Sequence, residues 1–314
     1  MRYESLLPET QIGFLGPKGT FAEQALLSEA DLAGTQVRPY DSIPDVLNAL
    51  VTEEVDLGFV PIENAIEGAV NVTQDSIAFD LDLKIHREVV LDVQLDLLAL
   101  PGTKIADIQT VLSFPVAIAQ CRAFLRERLP AAKVVAATST AEAARQVGEQ
   151  HMEGVATISN SRAGEIYGLD VVEQAIEDHA GNQTRFLLLG RNGIPAPTGN
   201  DKSSVVVFQQ ANQPGSLLAI LHEFAARNID ITRLESRPTR RELGDYCFLL
   251  DFEGHISDEV VADCLRELKM KQGNVKFLGS YPAYGSADSQ TVRDANADWS
   301  QAQEWIEALR NQME

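Results

Sequence analysis

Cysteine is scarce in this chain of 314 residues: Cys121, Cys247 and Cys264 stand far apart, odd in number and without a CxxC pair. That argues against a disulfide framework and against a structural zinc site, and reduced thiols suit the cytoplasm. Basic residues are outnumbered, with 26 Lys and Arg against 46 Asp and Glu for a formal net charge of -20. Such a field repels phosphate backbones, so nucleic acid is a poor partner. No run approaches the roughly 20 apolar residues that span a bilayer, and Met1 to Gln11 lacks the basic-then-apolar pattern of a secretory leader. The histidines at 86, 151, 179, 222 and 255 have no metal-ligand spacing. There is no GxSxG elbow and no GxGxxG after the first strand, which disfavours a serine hydrolase and a dinucleotide site. Neither metal nor cofactor is expected.

What remains is ordinary globular material, 45% hydrophobic and 23% charged, long enough for two or three domains. Short apolar runs alternate with helical patterns. Strands are expected over residues 11–16, 55–61, 108–114, 133–137, 154–159 and 185–190, with helices over 21–32, 70–79, 117–129 and 140–148. This alternation predicts an α/β fold with largely parallel sheets. Residues 191–202, rich in Pro, Gly and Asn, form a linker. Beyond it, strands over 203–209, 229–236, 246–252 and 275–280 and helices over 216–228 and 258–270 give the order βαββαβ, the ferredoxin-like arrangement. In the tail, Val292, Ala295, Trp299, Ala302, Ile306, Leu309 and Met313 make one apolar helical stripe, suited to packing on its own domain or on another subunit.

Three motifs place polar groups at strand ends, where open α/β sheets bind ligands. Gly13-Phe14-Leu15-Gly16-Pro17-Lys18-Gly19-Thr20-Phe21 ends a strand in a turn and starts a helix, presenting backbone N–H groups and the positive end of a dipole. Lys18 adds charge, and Thr20 either caps the helix or contacts a ligand. Val60-Pro61-Ile62-Glu63-Asn64 carries a carboxylate and an amide, which can equally cap a helix. Asn182-Gln183-Thr184-Arg185-Phe186 offers a hydroxyl donor and a bidentate guanidinium. Ser159 and Asn160 stand at a further strand-to-helix junction, and Ser139 to Glu142 resembles a capping box.

Together and in this order, the GPKGTF, VPIEN and NQTRF segments resemble the prephenate dehydratase family. So does the small module after them, with Asn212-Gln213-Pro214-Gly215-Ser216-Leu217 and Glu235-Ser236-Arg237-Pro238. The resemblance covers about residues 11–282. Ala65, Leu95 and Phe114 depart from the polar residues common at their positions in the family, so no polar catalytic role is assigned there. The resemblance implies a catalytic domain over residues 1–191 shaped like a type II periplasmic binding protein. One lobe would comprise about residues 11–80 and 181–191, the other about 90–180. It also implies an ACT domain over 203–282, and residues 287–314 are an added amphipathic helix.

The activity so implied is the decarboxylative dehydration of prephenate to phenylpyruvate in phenylalanine biosynthesis. Arg185 would pair with a carboxylate and Thr184 would hydrogen-bond the departing hydroxyl. Glu63 would be an acid if burial favours its neutral form, and Asn64, Lys18, Thr20, Ser159, Asn160, Asn182 and Phe186 would hold substrate. Phenylalanine would bind the ACT modules at Asn212, Gly215, Ser216, Leu217, Glu235, Ser236, Arg237 and Pro238. Pairing of these modules implies a homodimer or homotetramer. Arogenate dehydratase and a non-catalytic amino-acid-binding regulator are the alternatives. A fused chorismate mutase is disfavoured, because the chain starts directly at the first strand.

Overall fold

The computed structural model describes residues 6–209, 213–240, 242, 244–285 and 290–312. The chain forms two compact units, one of residues 2–73 with 89–187 and one of residues 74–88 with 188–314.

The first two sheets start with β1 (Gln11–Leu15), β2 (Gln36–Tyr40), β3 (Leu57–Asn64) and the short β4 (Gly68–Ala69). Then come β5 (Lys84–Asp92), β6 (Asp96–Ala99), β7 (Thr110–Ser113) and β8 (Lys133–Ala136). β9 (Val155–Ser159), β10 (Asp170–Glu173) and β11 (Gln183–Gly190) complete the set. One sheet has the order β2-β1-β3-β11-β5, with β4 paired to β3; the other has the order β10-β6-β9-β7-β8. β1 runs parallel to β2 and β3, and β7 parallel to β8 and β9, as the alternating pattern predicts. β6 is antiparallel to both β9 and β10, and the short β4 is antiparallel to β3.

Burial explains the inner strands. Ile12, Gly13 and Phe14 of β1 are all buried, and since successive strand residues face opposite ways, β1 is covered on both faces. In the second sheet Leu95, Leu97, Val111, Ala156 and Ile158 share one core with Cys121. Leu95 is thus a core residue, in keeping with the absence of a polar role.

Several helices are shorter than their sequence patterns. The apolar stretch 21–32 divides into helices Phe21–Ser28 and Ala30–Ala33 because Glu29 is extended. The stretch 117–129 divides into Pro115–Gln120 and Arg122–Arg128 at the buried Cys121. The stretch 70–79 is a helix over Asn71–Asp75 followed by a π-helical turn over Ser76–Asp80. β2, the helix Ile43–Val51, β5, β6 and β10 lie outside the expected elements.

The module after the linker consists of β12 (Asp201–Phe208), the helix Ser216–Ala225, β13 (Ile231–Pro238), β14 (Tyr246–Glu253), the helix Glu259–Gln272 and β15 (Asn274–Pro282). Its antiparallel sheet has the order β13-β14-β12-β15, the ferredoxin-like arrangement. Alternate residues Val205, Val207, Leu250 and Phe252 point to the helices and meet Phe224 and Leu268. The rings of Phe224 and Phe252 are 4.9 Å apart. The tail helix Gln290–Arg310 packs along Glu259–Gln272, yet Trp305 remains 62% exposed. Of the expected stripe, the side chains of Val292 and Ala295 and all of Met313 lie outside the described residues. Among the described residues, no helix is long and apolar enough to cross a membrane.

Candidate active site and effector pocket

β3 and β11 are neighbours in the first sheet, so the ends of the VPIEN and NQTRF segments meet across strands. The Asn64 Oδ1 accepts from the backbone N–H groups of Ile66 and Glu67, both at 2.9 Å. This Asx turn fixes the amide, and Nδ2 then donates to the Thr184 Oγ1 at 2.8 Å. Thr184 therefore accepts from Asn64 and keeps its own proton available to donate onward. Next to it, the Arg185 Nη1 donates to the Glu63 Oε1 at 3.1 Å, with Arg185 only 8% exposed. Glu63 was expected as a possible acid; in the structure its carboxylate accepts from a guanidinium and so holds Arg185 in place.

The GPKGTF turn is largely satisfied from within. Gly19, at φ +84°, occupies the left-handed region, and its N–H donates to the Glu23 Oε2 at 2.6 Å. The Thr20 Oγ1 donates to the Leu15 carbonyl at 2.9 Å and accepts from the Glu23 N–H at 3.3 Å. Thr20 thus caps its helix, one of the two roles that its place in the motif allows. The Lys18 carbonyl accepts from the Tyr167 hydroxyl at 2.7 Å, while the residue itself is exposed. Phe186 is 2% exposed and stacks on Phe59 at 5.2 Å, a core position.

Asn160 and Asn182 line a cavity of about 460 Å³ together with Gln24, Asp92, Asp96 and Glu177. The Asn160 Oδ1 caps its helix by accepting from the Ala163 N–H at 2.8 Å, leaving the buried Nδ2 without a partner among the described residues. The Asn182 Nδ2 donates to the Gln120 Oε1 at 3.1 Å, leaving the buried Oδ1 without one. The Ser159 Oγ is buried and likewise unpartnered. The carboxylates are committed: Asp92 accepts from the Gln183 Nε2 at 2.7 Å, Asp96 from the Ala175 N–H at 3.0 Å and Glu177 from the Leu95 N–H at 3.0 Å. Gln24, Asp92, Asp96 and Glu177 were not singled out from the sequence. Asp92 and Asp96 stand at the ends of β5 and β6, strands that the sequence pattern does not separate, and only tertiary placement brings the four together.

The thiols supply no nucleophile. Burial pushes Cys121 and Cys264 up to about 12 and Cys247 up to about 11, so the thiolate is strongly disfavoured. Among the described residues no group of three or more His, Cys, Asp or Glu could hold a metal ion.

A second cavity, of about 650 Å³, lies in the ferredoxin-like module and is lined by Gly215, Ser216, Leu217, Leu218, Ser236 and Phe248, among others. Gly215 precedes the helix at φ +88°, a conformation that a β-carbon would strain. Of the expected effector residues, Gly215, Ser216, Leu217 and Ser236 line this cavity. Glu235, Arg237 and Pro238 do not. Arg237 and Glu235 alternate with Ser236 along β13, and the Arg237 Nε and Nη2 donate to the two carboxylate oxygens of Asp75 at 2.9 and 3.0 Å. Asn212 lies outside the described residues.

The family model for prephenate dehydratase matches residues 12–194, and that for the ACT domain matches residues 204–269. A prephenate dehydratase of Mycolicibacterium gilvum is 42% identical over 310 residues, covering 95% of this chain and 98% of that one. The crystal structure of prephenate dehydratase from Arthrobacter aurescens in complex with L-Phe superposes with a TM-score of 0.86 at 35% identity, covering 96% of this chain and 100% of that one. A structure described as GqqA, a novel type of quorum quenching acylase, superposes with a TM-score of 0.77 at 27% identity, covering 87% and 98%.

Proposed function

This chain belongs to the prephenate dehydratase family and carries an ACT domain, and from that membership we propose that it converts prephenate to phenylpyruvate under control of phenylalanine. In this reaction the bond to the ring carboxylate breaks and its electron pair enters the ring. The ring hydroxyl leaves with a proton as water, and CO2 departs. Aromatisation drives the step, so the protein has to position a dianion and stabilise the leaving oxygen.

The observation that carries the reading is the interlocked set of Asn64, Thr184, Glu63 and Arg185 at the adjoining ends of β3 and β11. Thr184, held by the Asn64 amide, donates to the departing oxygen as negative charge develops on it. Arg185, held by Glu63, presents its guanidinium charge to a carboxylate. The uncommitted amide ends of Asn160 and Asn182 and the Ser159 hydroxyl supply further hydrogen bonds, and the exposed Lys18 offers charge to a second carboxylate.

Phenylalanine fits the second cavity in chemistry. Leu217, Leu218 and Phe248 offer an apolar wall for a ring, and the Ser236 hydroxyl offers a polar contact. Because ACT modules pair, the enzyme is proposed to be a homodimer or homotetramer, working in the cytoplasm. An acylase that used a thiol nucleophile is not favoured, since all three thiols are buried and held as thiols.

The test is an absorbance assay for phenylpyruvate with prephenate as substrate, with and without phenylalanine, run beside an arogenate assay for phenylalanine formation. Turnover of prephenate that phenylalanine suppresses is the expected result. Turnover of arogenate alone would reassign the substrate, and tight phenylalanine binding with no turnover of either would make the chain a regulator.

A further inference from the structure

We propose that the segment running from the helix Asn71–Asp75 through the π-helical turn to β5 is the arm that transmits effector binding to the catalytic residues, with the Asp75–Arg237 ion pair as its grip. The proposal rests on the dehydratase reading and goes beyond it by naming the coupling contact.

The grip begins beside the effector cavity. Ser236 lines that cavity, and Arg237, the next residue, projects from the opposite face of β13. Arg237 chelates Asp75 with two hydrogen bonds, and the Arg240 Nη2 adds a third at 2.8 Å. Both members of the main pair are largely buried, with side-chain exposures of 18% and 17%. Any displacement of β13 at Ser236 therefore moves a planar, bidentate contact that tolerates little change in geometry.

The same module holds the rest of the arm. The Arg240 guanidinium lies 5.3 Å from the Phe79 ring, and that ring meets Phe208 of β12 edge-on at 6.1 Å. The Lys276 Nζ of β15 donates to the Leu81 carbonyl at 2.6 Å, just past the end of the π-helical turn. The Lys84 Nζ donates to the Phe277 carbonyl at 3.2 Å. Further on, Glu88 accepts from the Lys202 Nζ at 2.9 Å and from the Tyr284 N–H at 2.7 Å. β12, β13 and β15 thus all hold the segment. A single π-helical turn is itself a rare element that often marks functional positions.

The other end of the arm leads to the active site. The buried Thr73, two residues before Asp75 on the same short helix, donates from Oγ1 to the Pro61 carbonyl of β3 at 2.6 Å. Pro61 is two residues before Glu63 and three before Asn64. A shift of the helix Asn71–Asp75 therefore acts on the strand that presents both residues holding Arg185 and Thr184. Such a shift couples the two sites only if each ligand prefers one position of the arm.

The test uses the full chain and measures two quantities: phenylalanine affinity by calorimetry, and the ratio of uninhibited to phenylalanine-saturated rate. Asp75→Asn should leave affinity and basal rate within about twofold of wild type while reducing the inhibition ratio by about 2- to 30-fold. Thr73→Val, which keeps the shape and removes the hydroxyl, should do the same without touching either cavity. Exchanging the charges in Asp75→Arg with Arg237→Asp should recover part of the inhibition that Asp75→Asn loses. Undiminished inhibition in both Asp75→Asn and Thr73→Val overturns the proposal. So does parallel loss of phenylalanine affinity in both, which would make the contacts part of the binding site. A wild-type chain that turns over no prephenate overturns the dehydratase reading instead.

Discussion

At the ends of β3 and β11 four polar side chains hold one another, whereas the cavity beside Gly215 is walled by Leu217, Leu218 and Phe248 with few polar atoms. The first arrangement is in place before any ligand arrives, since Asn64 is fixed by its own turn and holds Thr184, while Glu63 holds Arg185. That suits stabilising charge that appears only during a reaction, where reorganisation would cost rate. The second arrangement is open, with Leu218 70% exposed. It suits an apolar side chain whose burial supplies the free energy of binding. On the proposed reading, hydrogen-bond geometry carries one site and removable apolar area carries the other.

The contrast can be broken most sharply at Thr184. Thr184→Ala should lower kcat by about 10²–10³ with little change in phenylalanine binding. Thr184→Ser should recover much of the rate; equal loss in both would mean that the methyl group, not the hydroxyl, matters. Steady-state kinetics with prephenate and calorimetry with phenylalanine separate the two sites.

A smaller effect is expected at Gly215. A β-branched residue at φ +88° is strained by roughly 1–3 kcal/mol. Gly215→Val should weaken phenylalanine binding about tenfold while basal turnover stays near wild type. Loss of basal turnover would mean that the cavity is not confined to regulation.

Phe186 tests the boundary between motif and core. Phe186→Leu keeps an apolar residue of similar volume, so thermal or urea unfolding should show a loss of about 1.5 kcal/mol or less, with KM for prephenate unchanged. A rise in KM without loss of stability would restore Phe186 to the substrate.

The smallest effect concerns acid. Burial pushes the Asp75 carboxyl up, but hydrogen bonds and charge from Arg237 and Arg240 outweigh it and hold the group below the usual carboxylate range. A carboxyl lowered on folding contributes stability above its unfolded value, about 3.9, and loses it as pH falls through the folded value. The stability difference between wild type and Asp75→Asn should therefore be constant from neutral pH to about pH 5 and shrink below about pH 4. Urea midpoints measured across that range check it.

The sequence disclosed the polar strand ends because polar residues there border the apolar runs of β3 and β11. The order βαββαβ of the module was legible because its strands are separate apolar runs and its helices are single. The catalytic sheets were harder. β5 and β6 merge into one run from Lys84 to Ala99, without the glycine or proline that would mark a break. The helix pattern over 117–129 continues through Cys121, and only the backbone shows the interruption. Phe186 looked like part of a site because its neighbours are; its partner Phe59 is 127 residues away. Asp75 was one more acidic residue on a short helix until Arg237, 162 residues on, was found against it.

The three thiols can serve as timers. Cys121 is shut inside the core of the second catalytic sheet, Cys264 inside the core of the ferredoxin-like module, and Cys247 is fully buried in β14. An alkylating reagent reaches such a group only when its surroundings open, so the labelling rate at each one reports the opening of its own region. Adding substrate or phenylalanine during labelling would then reveal which part of the chain each molecule tightens.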